Sequence, residues 1–221
     1  MFRKFLLLIA LSFLLVYSIF SLSTQDTTLS EIGVFDISFM GEKVGYEEYT
    51  WQSTETGYLL TVRGRMTKPI PMVIDKLTIR LDKAFIPNQY YFEGSVSGVR
   101  QEVLTVINEG QVESVILVAG QEQKTEVKIK RDAFLLPNPV YSPYMVLTKK
   151  FPCSLQEKAE FSAYIVPHFE TPFTLDTSEE NPCLLIMDMS GTEILIGMDD
   201  GGKLMSLEIP LKNLEIIRTS E

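Results

Sequence analysis

Residues that usually carry chemistry are scarce in this chain. It has one histidine, His168, two cysteines, Cys153 and Cys183, and one tryptophan, Trp51. One histidine with two widely spaced cysteines fits no zinc-ligand pattern. There is no Gly-rich phosphate loop and no GxSxG nucleophile elbow. Asp199-Asp200-Gly201-Gly202 lacks the alternating oxygen ligands and closing Glu of a calcium loop, so it reads as a hairpin turn. His168 beside a cysteine would make a base and nucleophile, but a histidine between Pro167 and Phe169 is more simply a loop residue. No catalytic residue, cofactor or metal is therefore assigned. The acid pairs Glu47-Glu48 and Glu179-Glu180 point to opposite faces of any strand and read as solvated.

Positive charge is also sparse. The net charge is −9, and without residues 1–23, whose charges are Arg3 and Lys4, it becomes −11. No basic run is longer than Lys149-Lys150. So acidic a domain is repelled by phosphate backbones and anionic surfaces, which argues against nucleic acid and leaves membrane contact to the N-terminal segment alone.

That segment is the one long apolar run. Arg3 and Lys4 precede FLLLIALSFLLVYSIFSL, Phe5 to Leu22. Its length lies between a signal-peptide core of about 7–15 residues and a spanning helix of about 20. Ser21-Leu22-Ser23 is a small–x–small cleavage pattern. The expectation is an N-terminal hydrophobic helix over residues 1–23, a cleaved signal or a retained anchor. It would place the remainder outside the cytoplasm, in the periplasm or cell envelope. Residues 24–31 read as a polar tether, and 32–221 as one domain.

What fills that domain is strand pattern. Glu47/Tyr49/Trp51 alternate with Tyr46/Glu48/Thr50, and Val127/Ile129 alternate with charged neighbours, with Gly, Ser and Asn at the breaks. Val103 to Ile107 and Val115 to Val118 are apolar on both faces. A single solvated sheet does not do that, so the sheet is expected to curl around an apolar interior. Pro69 and Pro71 flank Ile70 in a segment assigned to an edge or crossing, and Pro172 is expected to break the strand Phe169 to Leu175. The prolines of Lys68–Met72 and Pro167–Pro172 read as devices that manage sheet edges.

One stretch departs from this pattern. In FLLPNPVYSPYMVLTKKFP, Phe134 to Pro152, Ser142 suits an N-cap and Pro143 the first helical position. Lys149 and Lys150 oppose the dipole in the last turn, and Pro152 stops the helix. The reading is a short helix, Pro143 to Lys150, inserted between two antiparallel β runs. Cys153 and Cys183 are expected to pair in an oxidising compartment; in a reducing one they are two small core residues. Trp51, Phe134, Tyr141, Tyr144 and Leu147 are the candidate pocket or lid residues if the helix closes a curled sheet.

Three motifs carry a resemblance. FDISFMGEKVGYEEYTW contains G-x-x-x-G-x-E-x-Y, LDKAFIPNQYYFEGSVSG a strand–Pro–Tyr corner, and GTEILIGMDDGGKLMSLEIPLKNLEIIR an acidic-Gly hairpin. Together they resemble a loose, functionally uncharacterised family of secreted bacterial β-rich domains. That resemblance implies a curled antiparallel sheet, or half-barrel, of the periplasmic lipoprotein-carrier type, with a binding or accessory role. The expected function is non-enzymatic binding of a lipid or other hydrophobic molecule in the curled sheet. The alternative is an envelope scaffold that binds another protein through its surface or a sheet edge.

Overall fold

In the computed structural model, residues 30–153, 155 and 157–220 are described. The expected hydrophobic helix of residues 1–23 lies outside them. Eight strands come first: β1 Ser30–Phe39, β2 Glu42–Thr54, β3 Gly57–Met66, β4 Met72–Asp82, β5 Pro87–Val96, β6 Val99–Asn108, β7 Gln111–Val118 and β8 Gln121–Lys128. Each pairs antiparallel with the next through a short turn. Period-two burial marks one face of each as core, with Leu60, Val62, Leu77 and Ile79 wholly buried. The β1–β2 turn shows why so many turns read X-Gly: Met40 and Gly41 both have positive φ, 53° and 77°. This is the primed geometry that matches strand twist, and glycine takes it without a Cβ penalty.

An insert follows. It contains the two-residue β9, Phe134–Leu135, a 3-10 turn Ser142–Tyr144, and α1, Met145–Lys150, the one α-helix among the described residues. The chain then returns to strands β10 Ala159–Ile165, β11 Phe169–Thr177, β12 Leu184–Met189, β13 Thr192–Met198, β14 Leu204–Ile209 and β15 Leu214–Ser220. β15 pairs antiparallel with β1, Ile216 opposite Ile37, so the last strand joins the first. The result is one fifteen-stranded sheet in the order β8 to β1, then β15 to β9. It is curled but unclosed, with β8 and β9 at its edges. β9 is the parallel exception, Phe134 lying opposite Ala163 of β10.

The insert lies inside the curl. Leu135, Leu136, Val140, Met145, Val146 and Leu147 are all buried, and Met145 and Leu147 show no exposure. The helix fills the concavity as a strut. Truncating Leu147 to Ala would cost about 2–5 kcal/mol.

Several expectations are corrected. The helical stretch starts with a 3-10 turn, and Ser142 makes no side-chain cap; its hydroxyl bonds to Glu47 of β2. Thr67–Pro71 joins β3 to β4, both interior strands, so its prolines mark no edge. β11 runs through Pro172, because only Thr174–Thr177 need donors toward β12. The true edges are handled otherwise: apart from Val127, β8 consists of Gln, Glu, Lys and Thr, and β9 is two residues long. Finally, β1 begins at Ser30, inside the segment read as tether.

Candidate functional site

The curled sheet has two unlike ends. At the base, the chain enters at Ser30 and the disulfide forms. At the mouth lie the turns Met40–Gly41, Thr67–Pro71, Ser190–Gly191 and Pro210–Asn213. The strut runs from Tyr141 near the mouth to Lys149 near the base and is tied at both ends.

Near the mouth the tie is Glu47. Its side chain is buried at 1% exposure. Carboxylate oxygens accept hydrogen bonds from Tyr141 N at 2.9 Å, Ser142 N at 2.7 Å and Ser142 Oγ at 2.5 Å. No cation pairs with it among the described residues. Burial pushes its pKa above the ordinary carboxylate value, and the Ser142 hydroxyl and two backbone N–H groups act against that rise. Gly64 stands opposite Glu47 on β3. A Cβ there would meet Tyr46 O at 2.4 Å, so only glycine permits the approach. Glu47 is therefore not the solvated acid expected. The signal was its place on the same strand face as Tyr49 and Trp51.

At the base the tie is Glu31. It accepts from Lys149 Nζ at 2.6 Å, from Arg218 at 2.7 Å and from Tyr49 OH at 2.8 Å. Arg218 also donates to the Tyr49 hydroxyl. Burial raises the Glu31 pKa, but the bonds from Lys149, Arg218 and Tyr49 together outweigh it and hold the carboxyl below its ordinary value. Beyond the strut, Cys153 and Cys183 form a disulfide. Asp200 lies within 4.8 Å of both sulfurs, but sulfurs bonded to each other offer no thiolate, so the trio is not a metal-ligand set.

Between the strut and the mouth turns lies a cavity of about 400 Å³. Phe39 and Leu214 form one wall, Ile194 and Ile209 another. Ile70 and Pro139 lie at its entrance, and Tyr141 and Tyr144 close it on the strut side. Burial pushes both phenols above the ordinary tyrosine value, so they remain neutral hydrogen-bond donors. Lys212 is the one charged residue in the lining. A second cavity of about 230 Å³ lies across Asn138–Val140, lined by Tyr90, Phe92, Val103 and His168 among others. The Asn138–Val140 segment is thus a partition between two pockets.

Of the five candidate pocket residues, Tyr141 and Tyr144 line the larger cavity. Leu147 lies deeper, in the core around α1. Phe134 joins Phe151, Phe161 and Phe173, with Lys150 Nζ 5.0 Å from its ring. Trp51 stacks on Tyr58 at 5.2 Å and near Phe85 at 6.3 Å, sealing the base. Most of the lining comes from strand ends and turns, including Phe39, Ile194, Ile209 and Lys212, whose meeting depends on strand order. Strand order has no local sequence signal.

No protein-family model matches the chain, and no curated protein matches it. Among solved structures it is similar to a DUF1089 family protein from Pseudomonas aeruginosa, with 10% identity, a TM-score of 0.44, and coverage of 80% of this chain and 90% of that one. A likeness this loose carries no functional argument, and the lipoprotein-carrier relationship rests on the sequence resemblance alone.

Proposed function

We propose that this protein is an extracytoplasmic, non-catalytic domain that holds an apolar or amphiphilic small molecule at the mouth of its curled sheet. The observation that carries this reading is the cavity of about 400 Å³, walled by aliphatic and aromatic side chains with Lys212 as its one charged residue. Ligand sites are of this kind, about 300–1,000 Å³ and mostly apolar with few polar groups. Lys212 suits a carboxylate or phosphate head group on a molecule whose tail lies inside. The site is narrower than a hollow half-barrel would offer, because the strut occupies the deep interior.

Three further observations fit. The disulfide is consistent with an oxidising, extracytoplasmic setting. A cysteine–histidine mechanism has no nucleophile to use, since both sulfurs are bonded to each other and His168 lies at the mouth. Among the described residues, the long sheet edge is β8, whose polar side chains do not favour partner binding by strand addition.

The test is binding of a dansylated fatty acid to the full chain, with mass spectrometry of organic extracts from the purified protein. Ile194→Trp, which places a large side chain into the cavity, is expected to abolish probe binding while preserving the circular dichroism spectrum. Unchanged probe binding in that variant, or none in the parent, overturns the reading.

A further inference from the structure

The turns around the mouth differ in composition from the rest of this acidic chain. Met40–Gly41, Thr67–Pro71, Val166–His168, Ser190–Gly191 and Pro210–Asn213 contain Lys68 and Lys212 but no Asp or Glu. The whole sequence has 29 acidic and 20 basic residues. At the other ends of these strands the turns hold Glu55, Glu179, Glu180, Asp199 and Asp200 against Lys83 and Lys203. The turns alone are thus net positive at the mouth and net negative at the base. Lys68 is paired with Glu42, the first residue of β2, at 3.1 Å. Lys212 forms no ion pair among the described residues.

The same turns expose apolar side chains. Leu211 is 76% exposed, Met40 68% and Ile70 42%, and Phe169, next to the Val166–His168 turn, 54%. Met40 and Leu211 belong to neighbouring turns, joined by a hydrogen bond from Met40 N to Asn213 O at 2.8 Å. Ile70 both reaches solvent and lines the cavity, so the apolar rim and the apolar pocket are continuous. The chain joins the sheet at Ser30, at the base, so the mouth points away from that junction.

We propose that this rim docks on a lipid bilayer with anionic head groups. Met40, Ile70, Phe169 and Leu211 enter the interface and Lys212 meets phosphate, with the cavity mouth opening against the acyl chains. The inference rests on the cavity being a site for an apolar ligand and names the surface from which that ligand is exchanged. It departs from the expectation that membrane contact is confined to residues 5–22. Net negative charge alone predicts repulsion, but turns that are net positive at the mouth and net negative at the base favour approach to an anionic surface mouth first. Exposed apolar residues beside an unpaired cation are the composition of an interfacial binding surface.

The test uses the full chain in phosphatidylcholine nanodiscs, which occupy its apolar run 5–22. It is mixed with vesicles of phosphatidylcholine containing about one third phosphatidylglycerol, and bound protein is read by flotation. The expected result is flotation that weakens with salt and falls roughly tenfold or more in Met40→Ser/Leu211→Ser. Neither residue lines the cavity, so the double variant is expected to bind dansylated fatty acid as the parent does. Undiminished flotation of the double variant, or none for the parent, overturns the proposal. So does a concentration-dependent dimer, lost in the same variant, in a protein that does not float. Loss of flotation with intact probe binding supports the rim. Intact flotation with no probe binding in the parent sinks the cavity reading and leaves the rim standing.

Discussion

Glu47 and Ser142 are 95 residues apart in sequence, yet the Glu47 carboxylate accepts both the backbone N–H and the hydroxyl of Ser142. The bond does two things. It satisfies donors at the start of the helical strut that lack intrahelical partners, and it fixes the strut against β2 where the cavity wall begins. A helix this short has little stability of its own. Its place comes from what it touches.

Removing that carboxylate should therefore be costly. Glu47→Ala leaves two buried N–H groups and a hydroxyl without an acceptor, and is expected to destabilise the protein by about 2–5 kcal/mol in urea unfolding. Glu47→Gln keeps an acceptor and separates charge from shape. Burial raises the carboxyl above its ordinary 4.5 in the folded state. Its stabilising contribution is then complete below about 4.5 and is lost as pH rises through the raised folded value. The parent should lose this component of stability as pH rises above about 4.5, through the raised folded value, and Glu47→Gln should lack it. Parallel pH profiles for the two proteins would refute the assignment.

Glu47 also shows where reading a sequence succeeds and where it stops. The strands, their turns and the curl follow from period-two patterns and X-Gly turns, which are local. Apolar residues on both faces of a strand do not all turn inward, however. Val103 and Ile107 face inward, while Leu104, Val106, Val115 and Leu117 stay exposed on the convex side, with no second layer over them among the described residues. Adjacency to Glu48 suggests a solvated acid, but the strand face that Glu47 shares with Tyr49 and Trp51 is the buried one. The cavity depends on β15 returning to β1 and on the insert folding inward. Both are contacts between distant parts of the chain that no window of sequence records.

At the base, Glu31, Lys149 and Arg218 should not contribute equally. The Arg218 side chain is 5% exposed and those of Glu31 and Lys149 are 15% and 17% exposed. Glu31→Ala strands a buried guanidinium and is expected to cost about 3–5 kcal/mol. Lys149→Met retains most of the packing and should cost about 1 kcal/mol or less. The pH dependence has the opposite sign to that of Glu47. The Glu31 pKa is lowered from 4.5, so its contribution is present above that value and is lost as pH falls through the depressed one. Equal losses in the two variants, measured by denaturant midpoint, would show that Arg218 finds another partner.

The disulfide should act mainly through the unfolded chain. Cys153 and Cys183 are 30 residues apart, for which loop closure predicts about 3–4 kcal/mol. Cys153→Ser/Cys183→Ser is expected to lower the urea midpoint by a corresponding amount. It should leave dansylated fatty acid binding unchanged, since the bridge lies at the base and the cavity at the mouth. A variant that keeps its stability but loses the probe would contradict this separation of the two ends.

A buried hydroxyl pair offers a sharper energetic test. Thr105 and Ser114, opposite each other on β6 and β7, are both essentially unexposed, with Oγ1 and Oγ 2.8 Å apart. Tyr164 of β10 is also wholly buried, and its phenol is pushed upward by burial, with Ser114 acting against that shift. Ser114→Ala alone removes one partner and leaves the Thr105 hydroxyl desolvated, a loss of about 1–3 kcal/mol. Thr105→Val together with Ser114→Ala removes both polar groups while nearly keeping shape, and should recover most of that loss. A double-mutant cycle by urea unfolding measures the coupling directly. Simple additivity of the two single losses would mean that the pair is not a bond in solution, and that these hydroxyls have other partners where β6 and β7 face β10.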